Sequence, residues 1–294
     1  MTERLPSTEG IDGRTVDIDR LDTAARVRLL IEAQRGAVFA ALGASEAIAH
    51  AVDIVVAALR AERRVIVLGA GTSGRLAVLD ASELPPTFGF SREHYEGRIA
   101  GGDDALRHSI EGAEDDAYAG AACVADVVSG DVVIGVSASG SAAFVAGALA
   151  AARANGAKTI AIVNTPGSDL ARDADVAIVA ETGAEPIAGS TRMRAGTAQK
   201  VVLNTISTAA MIALGKTYRN LMVDVVASNA KLRARADRLV RELAGDAYAP
   251  GLLDAAGGRV KTAVVMARRK VGRDAAERLL DEAGGRLAEL MDES

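Results

Sequence analysis

The chain has 294 residues, 49% of them hydrophobic, which is enough to bury a sizeable core in one large domain or two unequal ones. Its 34 basic residues are nearly balanced by 39 acidic ones, and a net charge of −5 with 3% aromatics and no tryptophan excludes the basic, aromatic-lined surface of a nucleic-acid binder. A single cysteine, Cys123, excludes an internal disulfide, and His50, His94 and His108 do not fall at metal-ligand spacing, so a reducing, cytoplasmic setting without a structural metal is expected.

The start of the chain, MTERLPSTEGIDGRTVD, lacks the basic and apolar regions of an export signal, and no uncharged apolar run approaches the roughly 20 residues that span a bilayer. No membrane partner is expected. From Asp22 to Arg63 apolar residues recur at three and four (Val27, Leu30, Ile31, Ala33, Val38, Leu42), which predicts two or three helices with a break at Gly43. Four β-branched runs follow, at 64–69, 131–137, 158–164 and 175–180, and IAGG at 99–102 suggests a short fifth strand. Runs apolar on both faces suit a parallel sheet covered on both sides. An alanine-rich segment between the second and third runs, closed by Asn155-Gly156, completes a right-handed βαβ unit. Segment 104–128 carries another helical pattern. The expected fold is therefore α/β, a doubly wound, flavodoxin-like parallel sheet flanked by helices. Helical patterns return from Gly196 to Leu243, and three short ones end the chain. This predicts a main domain over 1–245, including the N-terminal helices, and a small three-helix C-terminal domain over 246–294.

The first strand runs into VIVLGAGTSGRLAVLDASE, where Gly69, Gly71 and Gly74 form G-x-G-x-x-G. A dinucleotide site would need an acidic residue at the end of a second strand about 20 residues on. DASELPPTFGFSREHYEG supplies no apolar strand there, which makes Glu93 and Glu96 poor ribose ligands. The loop does place Thr72 and Ser73 at a strand-to-helix junction, where unpaired N–H groups and the helix dipole favour an anion. GVSASGSAAF places Ser137, Ser139 and Ser141 at a second such turn, opened by Gly140. GSTRMRAGTAQK places Ser190 and Thr191 ahead of a long helix, with Arg192, Arg194 and Lys200 as nearby cations. Three hydroxyl-rich turns at one sheet edge point to a phosphomonoester, although each hydroxyl alone could be a helix cap worth about 1 kcal/mol.

Two sets of carboxylates accompany these loops. Glu83 sits just before Pro85, which should end the first loop's helix, and so lies near the sheet's carboxyl edge or a neighbouring subunit. Glu111 and Glu114, three apart, share a face if their segment is helical. Beside a sugar phosphate, two carboxylates could act as acid and base in an elimination or isomerisation. As surface residues they would simply be solvated charges.

GAGTSGRLAVLDASELPPTFG, together with GSTRMRAGTAQKVVLNTISTAAMIALGKTYRNLMVDVVASNAKL, resembles the bacterial N-acetylmuramic acid 6-phosphate etherases of the sugar isomerase domain superfamily. IDRLDT, IAGGDDALRHSIEGAEDD and GRVKTAVVMARRKVGRDAAERLLDEAGGRL extend the resemblance over most of the chain. It implies cleavage of a D-lactyl ether by elimination and rehydration, with no cofactor, during recycling of cell-wall amino sugar. By the family's motifs, Glu83 matches the acid that assists lactate departure and Glu114 the second catalytic carboxylate, the base. Glu111 would contact the sugar, while Thr72, Ser73, Ser137, Ser139, Ser141, Ser190 and Thr191 match positions lining the pocket. The resemblance also implies a homodimer whose partner chain completes each site. Two departures stand out. Where these etherases commonly read A-S-G-R-T-P, this chain reads Ser139-Gly140-Ser141-Ala142-Ala143, and the N-terminal segment lacks their Arg-Asn-Pro. A glucokinase regulator that binds sugar phosphates without cleavage and aldose-ketose isomerases share the architecture, so a sensor and an isomerase are the competing readings.

Overall fold

The computed structural model describes residues 6–227 and 229–291. Within them the chain separates into two units, one comprising the described residues up to Ser82 with Glu93–Ser207, the other Glu83–Arg92 with the described residues from Thr208 on.

The first unit is built on five parallel strands, β1 (Val65–Gly69), β2 (Tyr95–Ile99), β3 (Val132–Ser137), β4 (Lys158–Val163) and β5 (Val176–Val179), in the order β2-β1-β3-β4-β5. This is the flavodoxin-like order. The four β-branched runs form the four strands expected of them, and every residue of β1 and β3 is buried. Alternate side chains point to opposite faces. Ile66 and Leu68 pack with Val124, Val145 and Leu149 of the layer built by α4 (Ala117–Cys123) and α5 (Ala143–Ala154). Val65 and Val67, which point the other way, are also fully buried, and α2 (Ser45–Arg60) touches β1, β3 and β5.

The second strand corrects the sequence reading. β2 begins at Tyr95 rather than at Ile99, and it pairs in register with β1 from Val65↔Tyr95 to Gly69↔Ile99. As an edge strand it is only partly covered, so Glu96, Gly97 and Arg98 are tolerated in its middle and the apolar signature is lost. The second strand that a dinucleotide site requires is therefore present. Glu96, however, lies one residue from its start and pairs with Arg98 at 2.7 Å, rather than at the carboxyl end where a ribose would lie.

α1 (Thr23–Gly43) buries a face of small residues, Ala33, Ala37 and Ala41. Its larger apolar residues Val27, Ile31, Val38 and Leu42 are 50 to 66% exposed and form an outward stripe, with Phe39 beside it. Among the described residues, no single helix is long and apolar enough to cross a membrane.

α3 (Gly71–Phe88) runs on through Pro85 and Pro86 instead of ending before them. Proline keeps a helical φ and gives up only its own N–H, and the Pro85 carbonyl still accepts from Gly89 N–H at 3.0 Å. The pattern at 104–128 is likewise not one helix. It breaks into short 3-10 turns at Asp103–Leu106 and Ala113–Asp115, followed by α4.

The second unit is helical. α8 (Ala230–Ala244) packs Ala236, Leu239, Val240 and Leu243 into one core with Leu253 of α9 (Leu252–Ala255), Val260 and Val264 of α10 (Val260–Arg269) and Leu280 of α11 (Arg273–Glu282). The boundary expected after residue 245 thus falls inside this core, because α8 buries its apolar stripe there. The unit's clamp is Lys261, whose Nζ donates to the carbonyls of Gly215 and Gly285 at 2.8 Å and to Asp224 at 2.6 Å.

Candidate functional site

In a doubly wound sheet, the crevice at the strands' carboxyl ends opens where the strand order reverses. Here that point lies between β1 and β3. A cavity of about 330 Å³ occupies it, lined by Ala70–Ser73 from the first loop, Val136–Ser139 and Ala142 from the second, Gly189 and Thr191 from the third, and Glu9 and Glu114.

Backbone geometry shapes the first loop. Gly71 has φ +53°, and a Cβ on Gly74 would lie 2.4 Å from the Gly69 oxygen. Only glycine therefore lets the start of α3 close onto the end of β1. In a helix the first N–H groups have no acceptor within it. Gly74 N–H finds the Ala70 carbonyl at 3.2 Å, so the donors of Gly71, Thr72 and Ser73 remain directed out of the helix end. The second loop repeats the design at the start of α5. Gly140 has φ +72°, and a Cβ there would lie 2.2 Å from Ser168 Oγ.

A buried polar chain sets the hydroxyl directions. The Ala180 carbonyl can only accept, and Asn164 Nδ2 donates to it at 2.8 Å. Asn164 Oδ1 then accepts from Gln199 Nε2 at 3.0 Å, and Gln199 Oε1 accepts the Ser73 hydroxyl at 2.9 Å. Ser73 has therefore spent its hydroxyl proton, and its backbone N–H is what it can offer an anion. In the second loop, Ser137 Oγ accepts Gly140 N–H at 3.1 Å, while Ser139 Oγ accepts from the hydroxyl and N–H of Ser141 at 2.9 and 3.3 Å. The Ser137 and Ser139 hydroxyls also lie 3.5 Å apart, so one can donate to the other, and these contacts leave at least one of the two protons for a ligand. Ser141 orients Ser139 and does not itself line the cavity, nor does Ser190.

The third loop differs most from its sequence reading. α7 (Arg194–Ala213) has its N-terminus occupied by Glu185, which is fully buried and accepts from the N–H groups of Arg194 and Ala195 at 2.8 Å each. Arg194 is no phosphate ligand. Its buried guanidinium donates to the carbonyls of Ala33, Thr182 and Ala184 and to Asp12. Lys200 is engaged with Asn204, and Arg192 is exposed. The described residues lining the cavity include no lysine or arginine, so the groups it offers an anion are two helix N-termini and hydroxyls.

Of the carboxylates, Glu114 lines the cavity from the turn Ala113–Asp115. Although it remains an exposed residue, partial desolvation and then the neighbouring Asp115 charge raise its pKa above the ordinary carboxylate value. Glu111 is exposed and precedes Gly112, whose φ of +73° separates it from that turn, so the two do not share a helical face. Glu83 is exposed in α3, within the second unit, and is not among the lining residues. α3 is held to α7 one turn before it, where the buried Asp80 Oδ1 accepts from Asn204 at 2.6 Å and Ser207 at 3.0 Å. A larger cavity of about 800 Å³ lies against α1, lined by Arg14, Glu32, Arg35 and Glu181 among others, and holds none of the motif hydroxyls.

Sequence reasoning missed Glu9, Asn164 and Gln199. The last two do carry a signal: polar residues at the end of the apolar run KTIAIVN and inside the apolar helix GTAQKVV need buried partners.

Residues 47–153 match the glucokinase regulatory protein N-terminal SIS domain family, and residues 114–209 match the SIS domain. Among solved structures, the chain is similar to the c3406 protein of E. coli CFT073, with a TM-score of 0.51 and 19% identity over 68% of this chain and 96% of that one. That likeness supports the fold alone. The N-acetylmuramic acid 6-phosphate etherase of Thermobifida fusca is 51% identical over 81% of this chain and 78% of its own. That of Gloeobacter violaceus is 47% identical over 98% of this chain and 97% of its own. With such identity sustained over nearly its whole length, the chain belongs to the N-acetylmuramic acid 6-phosphate etherase family.

Proposed function

We propose that this chain is a carbon–oxygen lyase that cleaves the D-lactyl ether of N-acetylmuramic acid 6-phosphate, releasing D-lactate and N-acetylglucosamine 6-phosphate by elimination and rehydration. The observation that carries this reading is the cavity at the β1/β3 switch point, where anion-binding helix ends, free hydroxyls and a carboxylate of raised pKa meet. The 6-phosphate, with a charge of roughly −1.5 to −2, sits on the N–H groups that open α3 and α5 and on the hydroxyls of Thr72, Ser137, Ser139 and Thr191.

The ring opens to the aldehyde, which acidifies the C2 proton. Glu114 removes that proton, the electron pair forms the C2=C3 double bond, and the C3–O bond breaks. Glu83 protonates the departing lactate oxygen. Water then adds its hydroxide to C3 of the unsaturated aldehyde, and a proton returns to C2. Desolvation suits Glu114 to this task, because a raised pKa makes its carboxylate a stronger base. The steps balance without a redox cofactor or a metal.

We further propose that the enzyme is a cytoplasmic homodimer serving cell-wall amino sugar recycling, with the partner subunit completing each site. One observation supports the dimer. α1 presents an unpaired apolar stripe of Val27, Ile31, Val38 and Leu42.

The test is release of D-lactate from N-acetylmuramic acid 6-phosphate by the purified protein in D₂O. The expected result is turnover with deuterium at C2 of the product, and loss of turnover in Glu83→Gln with product binding retained. A wild-type protein that releases no lactate overturns the reading, and product without deuterium at C2 overturns the elimination.

A further inference from the structure

The cavity holds a second carboxylate that the proposed chemistry does not use. Glu9 ends the short turn Ser7–Glu9 and lines the cavity with Thr72, Ser137, Ser139 and Glu114. Its carboxylate has no hydrogen-bond or ionic partner among the described residues.

The segment that carries it is anchored rather than loose. Thr8 is fully buried, and Glu9 N–H donates to the Pro6 carbonyl at 2.9 Å. Asp12 then ties the segment to Arg194, the buried residue that opens α7, at 3.2 Å. The third loop is shaped around the carboxylate. Gly189 has φ +74°, and a Cβ there would lie 3.0 Å from Glu9 Oε2, so a side chain at this position would crowd it.

The charge of Glu9 decides what it can recognise. An ionised carboxylate only accepts hydrogen bonds, and it repels both anionic ends of the substrate, the phosphate and the lactyl carboxylate. Its complement is the uncharged, donor-bearing part of the ligand. We propose that Glu9 is a substrate-contacting specificity residue that accepts hydrogen bonds from the hydroxyl or acetamido N–H groups of the sugar, and so distinguishes a sugar phosphate from other phosphates. The choice of amino sugar rests on the etherase reading; the recognition of a neutral donor does not.

The experiment is calorimetric titration of wild type, Glu9→Ala and Glu9→Gln with N-acetylglucosamine 6-phosphate and, separately, with inorganic phosphate. Loss of a charge-assisted hydrogen bond should weaken the sugar phosphate by about ten- to a hundredfold in Glu9→Ala. Inorganic phosphate should bind that variant as well as or better than wild type. Glu9→Gln, which keeps an acceptor oxygen, should recover part of the loss. In steady state, the KM for lactate release should rise by a similar factor while kcat changes less than about threefold, the signature of lost uniform binding. Glu9 is exposed, so thermal unfolding should be unchanged. Equal weakening of both ligands, no weakening of either, or a wild type that binds neither overturns the proposal. So does a collapse of kcat at constant KM in Glu9→Gln, which would make Glu9 a proton-transfer group. If wild type binds the sugar phosphate but releases no lactate, the etherase reading fails while the two titrations still decide the role of Glu9.

Discussion

Gln199 is the keystone of the buried chain that fixes the first loop, and replacing it with leucine removes two hydrogen bonds at little change in volume. Gln199 is 1% exposed, and its partners Ser73 and Asn164, far apart in sequence, meet only because α3 and β4 converge on α7. In Gln199→Leu the Ser73 hydroxyl loses its acceptor and Asn164 Oδ1 loses its donor. A buried polar group left without a partner costs about 1–3 kcal/mol. Ser73 borders the cavity and can turn towards water, so the sum should fall near ~3 kcal/mol rather than at the upper end of the range. Against a typical stability of about 5–15 kcal/mol this is a large fraction. At about 2–4 °C per kcal/mol for a unit of this size, it should lower Tm by about 6–12 °C. Urea unfolding and scanning calorimetry measure the loss, and a cycle with Ser73→Ala isolates the pair. Each single variant orphans one member of the Ser73–Gln199 pair and the double variant orphans neither, so the double variant should be more stable than the sum of the singles by about 2 kcal/mol. A single variant within about 0.5 kcal/mol of wild type, or a strictly additive cycle, would refute the network as the element that holds the loop.

Lys261 offers a parallel test in the second unit. It is 7% exposed, and burial lowers its pKa against the opposing pull of Asp224. Lys261→Met leaves a carboxylate and two carbonyls without their donor and should destabilise the protein by about 3–5 kcal/mol, measured by thermal unfolding. Pairing it with Asp224→Asn should restore part of the loss. For Glu114, the sign of the pH dependence follows from its raised pKa. In the proposed role of base it must be ionised, so kcat/KM should fall as pH drops through a value above the ordinary glutamate pKa of about 4.3. Glu114→Gln should remove that limb along with most of the activity. An acid limb at or below the ordinary value would contradict the assignment.

The parallel sheet was legible in the sequence because strands buried on both faces must be apolar throughout, as β1, β3 and β4 are. The first two loops were legible as strand-to-helix turns because glycines there supply the positive φ and close approach that Gly71, Gly74 and Gly140 show. β2 was shifted because an edge strand is only partly covered and so tolerates Glu96 and Arg98. The end of α3 was misplaced because proline removes a donor without forbidding a helical φ. Other features depend on contacts distant in sequence. Nothing near Arg194 indicates that its guanidinium is consumed by Ala33 and Asp12, 161 and 182 positions away. Nothing near Glu9 places it beside Thr72 and Ser139. By itself, the sequence determined the layered α/β architecture, the two glycine-opened strand-to-helix turns and the family, because each is written in local pattern and spacing. Only the tertiary structure decided which hydroxyl protons are free, that α7 is already capped by Glu185, and that the N-terminal segment brings a second carboxylate into the cavity. Those outcomes depend on where every buried donor finds its acceptor, and that pairing exists only once the chain has folded.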